Sequence, residues 1–145
     1  MLYPFVPPDE IDEAVLERLA GAVAAVPTAS VRFERVGWFE DRVLWLAPDP
    51  AQPFRALTDA VRAAFPEQVP YAGLYRDVVP HLTVGDTSRG GVRAEQLRDA
   101  EDAVQATLPV SHELVSAEIL VGTAQSGTWR SLARLPLREA PAPTT

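Results

Sequence analysis

The apolar residues of this chain change their spacing in a fixed order, and that order is used twice. A short apolar run at residues 2–6 is closed by Pro7 and Pro8. Ile11, Val15, Leu16, Leu19 and Val23 then recur at helical spacing, behind Asp9 as N-cap and with Glu10, Asp12 and Glu13 in the first turn. Pro27 ends that helix. Residues 30–39 and 43–46 are rich in β-formers and are joined at Glu40 and Asp41, which predicts a hairpin with an irregularity at Gly37. Phe54, Leu57, Val61, Ala64 and Phe65 form a second helical stripe, entered after Pro50 and Pro53 and stopped by Pro66. A long loop over 66–79 follows, of a length that is often functional in a compact domain. The plan then repeats. A strand at 81–85 leads to a helix over 94–107, with Leu97, Ala100 or Glu101, Val104 and Leu108 on its inner side. One long strand is expected over 110–121, and a turn at 122–127 returns it as a partner strand over 128–137. Connections this short favour antiparallel pairing. The expectation is an α+β fold of antiparallel sheets with helices outside, forming one domain over residues 1–138, with 139–145 a disordered tail.

Composition removes several chemistries. The 145 residues include no cysteine, so disulfides, thiolate metal sites and cysteine nucleophiles are excluded. Lysine is absent as well, and all 13 basic residues are arginine; neither a phosphate-loop lysine nor Schiff-base chemistry is available. A net charge of −7 argues against broad binding to duplex nucleic acid, which relies on a positive surface. It leaves room for a small phosphate held locally by arginine. No apolar stretch approaches membrane-spanning length, and no signal-peptide pattern opens the chain. A soluble cytoplasmic protein, monomeric or weakly dimeric, is expected. With two histidines and no ligand-spaced carboxylates, no metal or other cofactor is expected.

The stretch from Pro80 to Gly85 reads Pro-His-Leu-Thr-Val-Gly. On a strand, side chains alternate between faces, so His81 and Thr83 share one face while Leu82 and Val84 are expected to pack behind it on an interior strand. An imidazole there can take or give a proton near neutral pH. A histidine hydrogen-bonded to a backbone carbonyl for purely structural reasons is the alternative. The other histidine, His112, lies in a Ser-His-Glu-Leu context that matches no motif and is expected at an exposed or edge position.

Two stretches together carry a resemblance. His81-Leu82-Thr83-Val84 resembles the second His-x-Thr/Ser-hydrophobic motif of the 2H phosphoesterases, also called the 2'-5' RNA ligase-like or cyclic phosphodiesterase family. Residues 2–5, Leu-Tyr-Pro-Phe, resemble the segment that follows the first motif in many members. The resemblance implies two pseudo-symmetric lobes, each with a motif on a central strand facing a shared cleft. It also implies metal-independent cleavage of 2',3'-cyclic phosphates or 2'-5' linkages, with a small nucleotide or an RNA end as partner. Of the two motif histidines in that family, one serves as base and one as acid, while the hydroxyl residues hold phosphoryl oxygens.

On this implication His81 and Thr83 are the catalytic candidates. Arg76 and Arg130 are the candidate phosphate clamps. Tyr3 and Trp129 are candidate base-stacking groups, with Tyr71 and Tyr75 as further aromatics near the motif. Met1 falls where the hydrophobic residue after the first motif's threonine would stand, so the first His-x-Thr would lie upstream of it. Three explanations follow: a native chain that begins further upstream, a non-catalytic phosphate- or nucleotide-binding module of the same fold, or a dimer that brings two copies of His81 together. Outside the family, the chain reads as an α+β interaction domain with a structural His81.

Overall fold

A computed structural model of the chain describes residues 6–69, 73, 77–89, 91–122 and 129–139. The run at 2–5, with Tyr3, lies outside the described residues, as do Tyr71, Tyr75, Arg76, residues 123–128 and residues 140–145. Within them the fold is α+β, with three α-helices and antiparallel sheets. Contacts divide the chain into two compact units. One comprises Met1–Ala29, Pro53–Val78 and Leu114–Thr145, and the other Ser30–Gln52 and Val79–Glu113. Among the described residues no helix is long and apolar enough to cross a membrane.

In the first unit, helix α1 spans Glu13–Ala24 and is capped by Asp12 rather than Asp9. Residues Pro8–Glu10 form a separate 3-10 turn, after which the extended backbone of Asp12 lets its Oδ1 accept from the Val15 amide at 2.9 Å. That bond satisfies one of the orphan donors at the helix start. Helix α2 spans Gln52–Ala64. The third structural part of the unit is the antiparallel hairpin of β5 (Ser116–Gly122) and β6 (Trp129–Pro136). The apolar stripes of the helices meet Leu114, Leu135 and Leu137 in one core that includes Leu19, Val23, Leu57, Val61 and Phe65. The Arg18 guanidinium lies 4.0 Å from the Phe65 ring centroid and pairs with Glu67 at 3.0 Å.

The second unit holds β1 (Ala29–Phe39, from Ser30 onward), β2 (Val43–Asp49), β3 (Leu82–Asp86), α3 (Ala94–Gln105) and β4 (Val110–Leu114, up to Glu113). The sheet order is β3-β2-β1-β4. The β1–β2 hairpin turns at Glu40, whose φ of 51° is the left-handed conformation that a tight turn requires. The ladder irregularity falls between Phe33 and Arg35 rather than at Gly37.

Two expectations are corrected here. The long strand over 110–121 is two strands in two different sheets, divided at Val115. β-propensity runs unbroken through that residue, but hydrogen-bond partners change there: β4 joins β1, while the Val115 carbonyl accepts from the Leu137 amide at 2.9 Å. Likewise, among the described residues β3 is an edge strand of its sheet, not an interior one. Leu82 and Val84 are therefore exposed, at 48% and 43%, instead of packed behind the motif. Paired on one side only, and with its ladder shifted at Val84, β3 does not bury the residues that alternation assigns to the core.

Candidate functional site

Register assigns the residues of the second unit to faces. Trp38 pairs with Leu44, and Leu44 with Gly85, so these three share one face. Helix α3 covers that face. Leu97 packs against Gly85 so closely that a β-carbon there would collide with its Cδ2. Glu101 accepts from Trp38 Nε1 at 3.0 Å, and Arg98 pairs with Asp41 at 2.6 Å. Glycine at 85 is thus explained by close helix–strand packing.

The opposite face carries Gly37, paired with Trp45, and Trp45 in turn paired with Thr83. Phe39 stands two residues from Gly37 on the same face and stacks on Trp45, with ring centroids 4.9 Å apart and planes 28° from parallel. His81, one residue before β3, meets this group. Its ring stands edge-on to Phe39 at 4.8 Å and 87°, and lies 6.2 Å from Trp45. His81 Nδ1 is 2.7 Å from the Val79 carbonyl oxygen. A carbonyl only accepts, so Nδ1 donates, and Nε2 is the nitrogen left to exchange a proton. The backbone-bonded histidine and the chemically available histidine, alternatives at the level of sequence, are thus compatible in one side chain.

Arg35 also belongs to this face, through its pairing with Ala47, two residues along β2 from Trp45. It is exposed and makes no ion pair or hydrogen bond among the described residues. Sequence reading passed over Arg35, Phe39 and Trp45. The available signal was the two-residue spacing Arg35-Gly37-Phe39 on a strand paired with the Trp45 strand, but without the register nothing connects that row to His81.

Of the remaining candidates, Trp129 and Arg130 belong to the first unit. Trp129 and Arg130 are consecutive on β6, where Trp129 pairs with Gly122 and Arg130 with Val121. Neighbours on a strand point to opposite faces, so the two do not present themselves to one surface of that hairpin. Both are exposed. Arg76 and Tyr3 lie outside the described residues. His112 is exposed on the edge strand β4. Among the described residues no group of three or more histidine, aspartate or glutamate side chains is placed to hold a metal ion.

His81 and Thr83 thus stand on the sheet face opposite the one that α3 packs on, in an α+β fold of antiparallel sheets. The family model described as the 2'-5' RNA ligase superfamily matches residues 1–123, most of the chain. The chain belongs to that superfamily, the 2H phosphoesterases. No curated protein matches it.

Proposed function

We propose that this protein is a metal-independent phosphodiesterase acting on 2',3'-cyclic phosphates or 2'-5' linkages of small nucleotides or RNA ends, with its activity impaired in the chain as it stands. The observation that carries the reading is the placement of His81 and Thr83 on the face that α3 leaves open, in a chain that belongs to the 2'-5' RNA ligase superfamily. In the proposed reaction, water attacks phosphorus and loses a proton to a base. The new P–O bond forms as the bond to the ribose 2' or 3' oxygen breaks, and that oxygen takes up a proton from an acid. His81 Nε2 performs one of these transfers, and the Thr83 hydroxyl donates to a phosphoryl oxygen. Arg35 offers a guanidinium for the phosphate charge. Cytoplasmic residence and a monomeric or weakly dimeric state are part of this proposal.

Impairment follows from counting proton-transfer groups. The reaction uses an acceptor and a donor, and the open face holds one imidazole among the described residues. The same observation favours a second reading, a non-catalytic phosphate- or nucleotide-binding module. A positioned acid or base contributes about 10²–10⁴-fold. Turnover of 2',3'-cyclic nucleotides is to be compared for three proteins: the chain as given, the chain extended before Met1 by a segment ending in His-x-Thr, and the extended chain with His81→Ala. The expected result is a gain of at least about 10²-fold on extension and its loss on removing His81. Equal rates for the given and extended chains would overturn the two-histidine mechanism. An extended chain inert toward cyclic phosphates and 2'-5' linked oligonucleotides, yet still binding them, would establish the binding module instead.

A further inference from the structure

The indole of Trp45 lies flat against the backbone of Gly37. A β-carbon at position 37 would sit 2.5–2.7 Å from Cζ2, Cη2 and Cε2 of that ring, so only glycine lets the indole occupy this place. Phe39 stacks on the indole, and the His81 imidazole stands on edge against Phe39. The indole Nε1 is buried and has no acceptor among the described residues. Leaving a buried donor unpaired costs about 1–3 kcal/mol. Phenylalanine would fill an apolar position without that penalty, so packing alone does not account for a tryptophan here. Its additional property is breadth: a bicyclic plane reaching from β2 across Gly37 on β1, wide enough to support Phe39 beneath the imidazole.

We propose that Gly37, Phe39 and Trp45 form an aromatic platform that positions His81, holding its ring in the orientation in which Nδ1–H bonds the Val79 carbonyl and Nε2 is the nitrogen free to take up or give a proton. None of the three exchanges a proton with substrate; they act through His81. The inference rests on the reading of His81 as the proton-transfer group, and deepens it by naming what fixes that group. The physical need is orientational. A histidine one residue outside an edge strand, on a loop-proximal backbone, has rotamers and two tautomers to choose among. An edge-to-face contact with a ring that is itself stacked removes most of that freedom.

The test is nuclear magnetic resonance of the imidazole nitrogens in the full chain, at a pH where both histidines are neutral. His112, exposed on β4, is the internal reference. In the wild-type protein His81 should show two well-separated nitrogen shifts, with Nδ1 protonated, and ring protons displaced by the neighbouring aromatic rings, while His112 shows averaged values. Phe39→Leu and Trp45→Phe should each collapse the His81 pattern toward that of His112. Phe39→Tyr, which keeps the ring edge contact, should preserve it. If Phe39→Leu and Trp45→Phe both retain the wild-type His81 pattern, the platform has no positioning role and the inference fails. Phe39 is near the end of β1, so a folded Phe39→Leu protein decides the question even if the Trp45 variant unfolds. Cyclic-phosphate turnover, run on the chain extended before Met1 by a segment ending in His-x-Thr, keeps the two readings apart. An inert extended chain, beside a His81 pattern that responds as described, defeats the phosphodiesterase reading alone. An active protein whose pattern is insensitive defeats the platform alone.

Discussion

At the scale of single residues, His81 and Arg35 show how little sequence proximity says about a site. They are 46 positions apart, yet strand register assigns Arg35 to the face that His81 and Thr83 occupy, and it is there without an ion-pair partner among the described residues. A guanidinium bonded to a phosphate makes charge-assisted hydrogen bonds, each worth about 1.5–3 kcal/mol. Arg35→Ala is therefore expected to weaken binding of a 2',3'-cyclic nucleotide by about tenfold or more, with Arg35→Lys intermediate because an ammonium keeps the charge but not the fork. Isothermal titration against the cyclic nucleotide measures this. Arg32→Ala provides the control, since Arg32 is already paired with Glu34 at 3.2 Å. Equal affinity for Arg35→Ala and wild type would remove Arg35 from the site.

At the scale of elements, the helices are held by local bonds that can be tested one at a time. The Asp12 carboxylate is the N-cap of α1, and its replacement by alanine should cost about 1 kcal/mol, read as a shift in the urea midpoint at unchanged slope. Asp9→Ala, outside the helix, should leave the midpoint where it is; the reverse result would return the cap to Asp9. Beyond the end of α2, the Glu67 carboxyl is held below its ordinary value, chiefly by a hydrogen bond from its own backbone, with desolvation opposing and the Arg18 guanidinium lowering it further. A carboxyl depressed in the folded state stabilises above its unfolded pKa, and that contribution is lost as pH falls through the folded value. The group is exposed, so the effect is small. Glu67→Gln should flatten the acid limb of the stability profile slightly and leave neutral-pH stability nearly unchanged. A variant whose acid limb matches wild type would show that the pairing carries no pH-dependent stability.

At the scale of the whole molecule, the chain belongs to the 2'-5' RNA ligase superfamily, and the proposed chemistry draws on histidine, threonine and arginine alone. With no cysteine in the chain and no cluster of three or more histidine and carboxylate groups placed for a metal among the described residues, catalysis is expected to proceed without a divalent ion. Cyclic-phosphate turnover should be the same before and after exhaustive chelation, and elemental analysis should find less than one equivalent of metal per chain. A stoichiometric metal whose removal abolishes turnover would require a different mechanism.

The sequence by itself determined the α+β class, the antiparallel character and the family, because these depend on local periodicity and on residues adjacent in the chain. Helical stripes in Leu19 and Val23 or Leu57 and Val61, and the alternation that puts His81 and Thr83 on one side, are properties of short windows. Tertiary structure alone decided that β-propensity through Val115 divides between two sheets, since a continuous run of β-formers carries no information about which partner supplies each hydrogen bond. It also decided that Leu82 and Val84 stay exposed, because burial depends on the neighbours of the strand and, among the described residues, β3 has a neighbour on one side only. Finally, it decided what surrounds the histidine. Gly37, Phe39 and Trp45 come from two strands distant in sequence from the motif, and only the pairing of Gly37 with Trp45 and of Trp45 with Thr83 brings them to His81. Register is a collective choice of the sheet, made where side chains interlock, and no single strand encodes it.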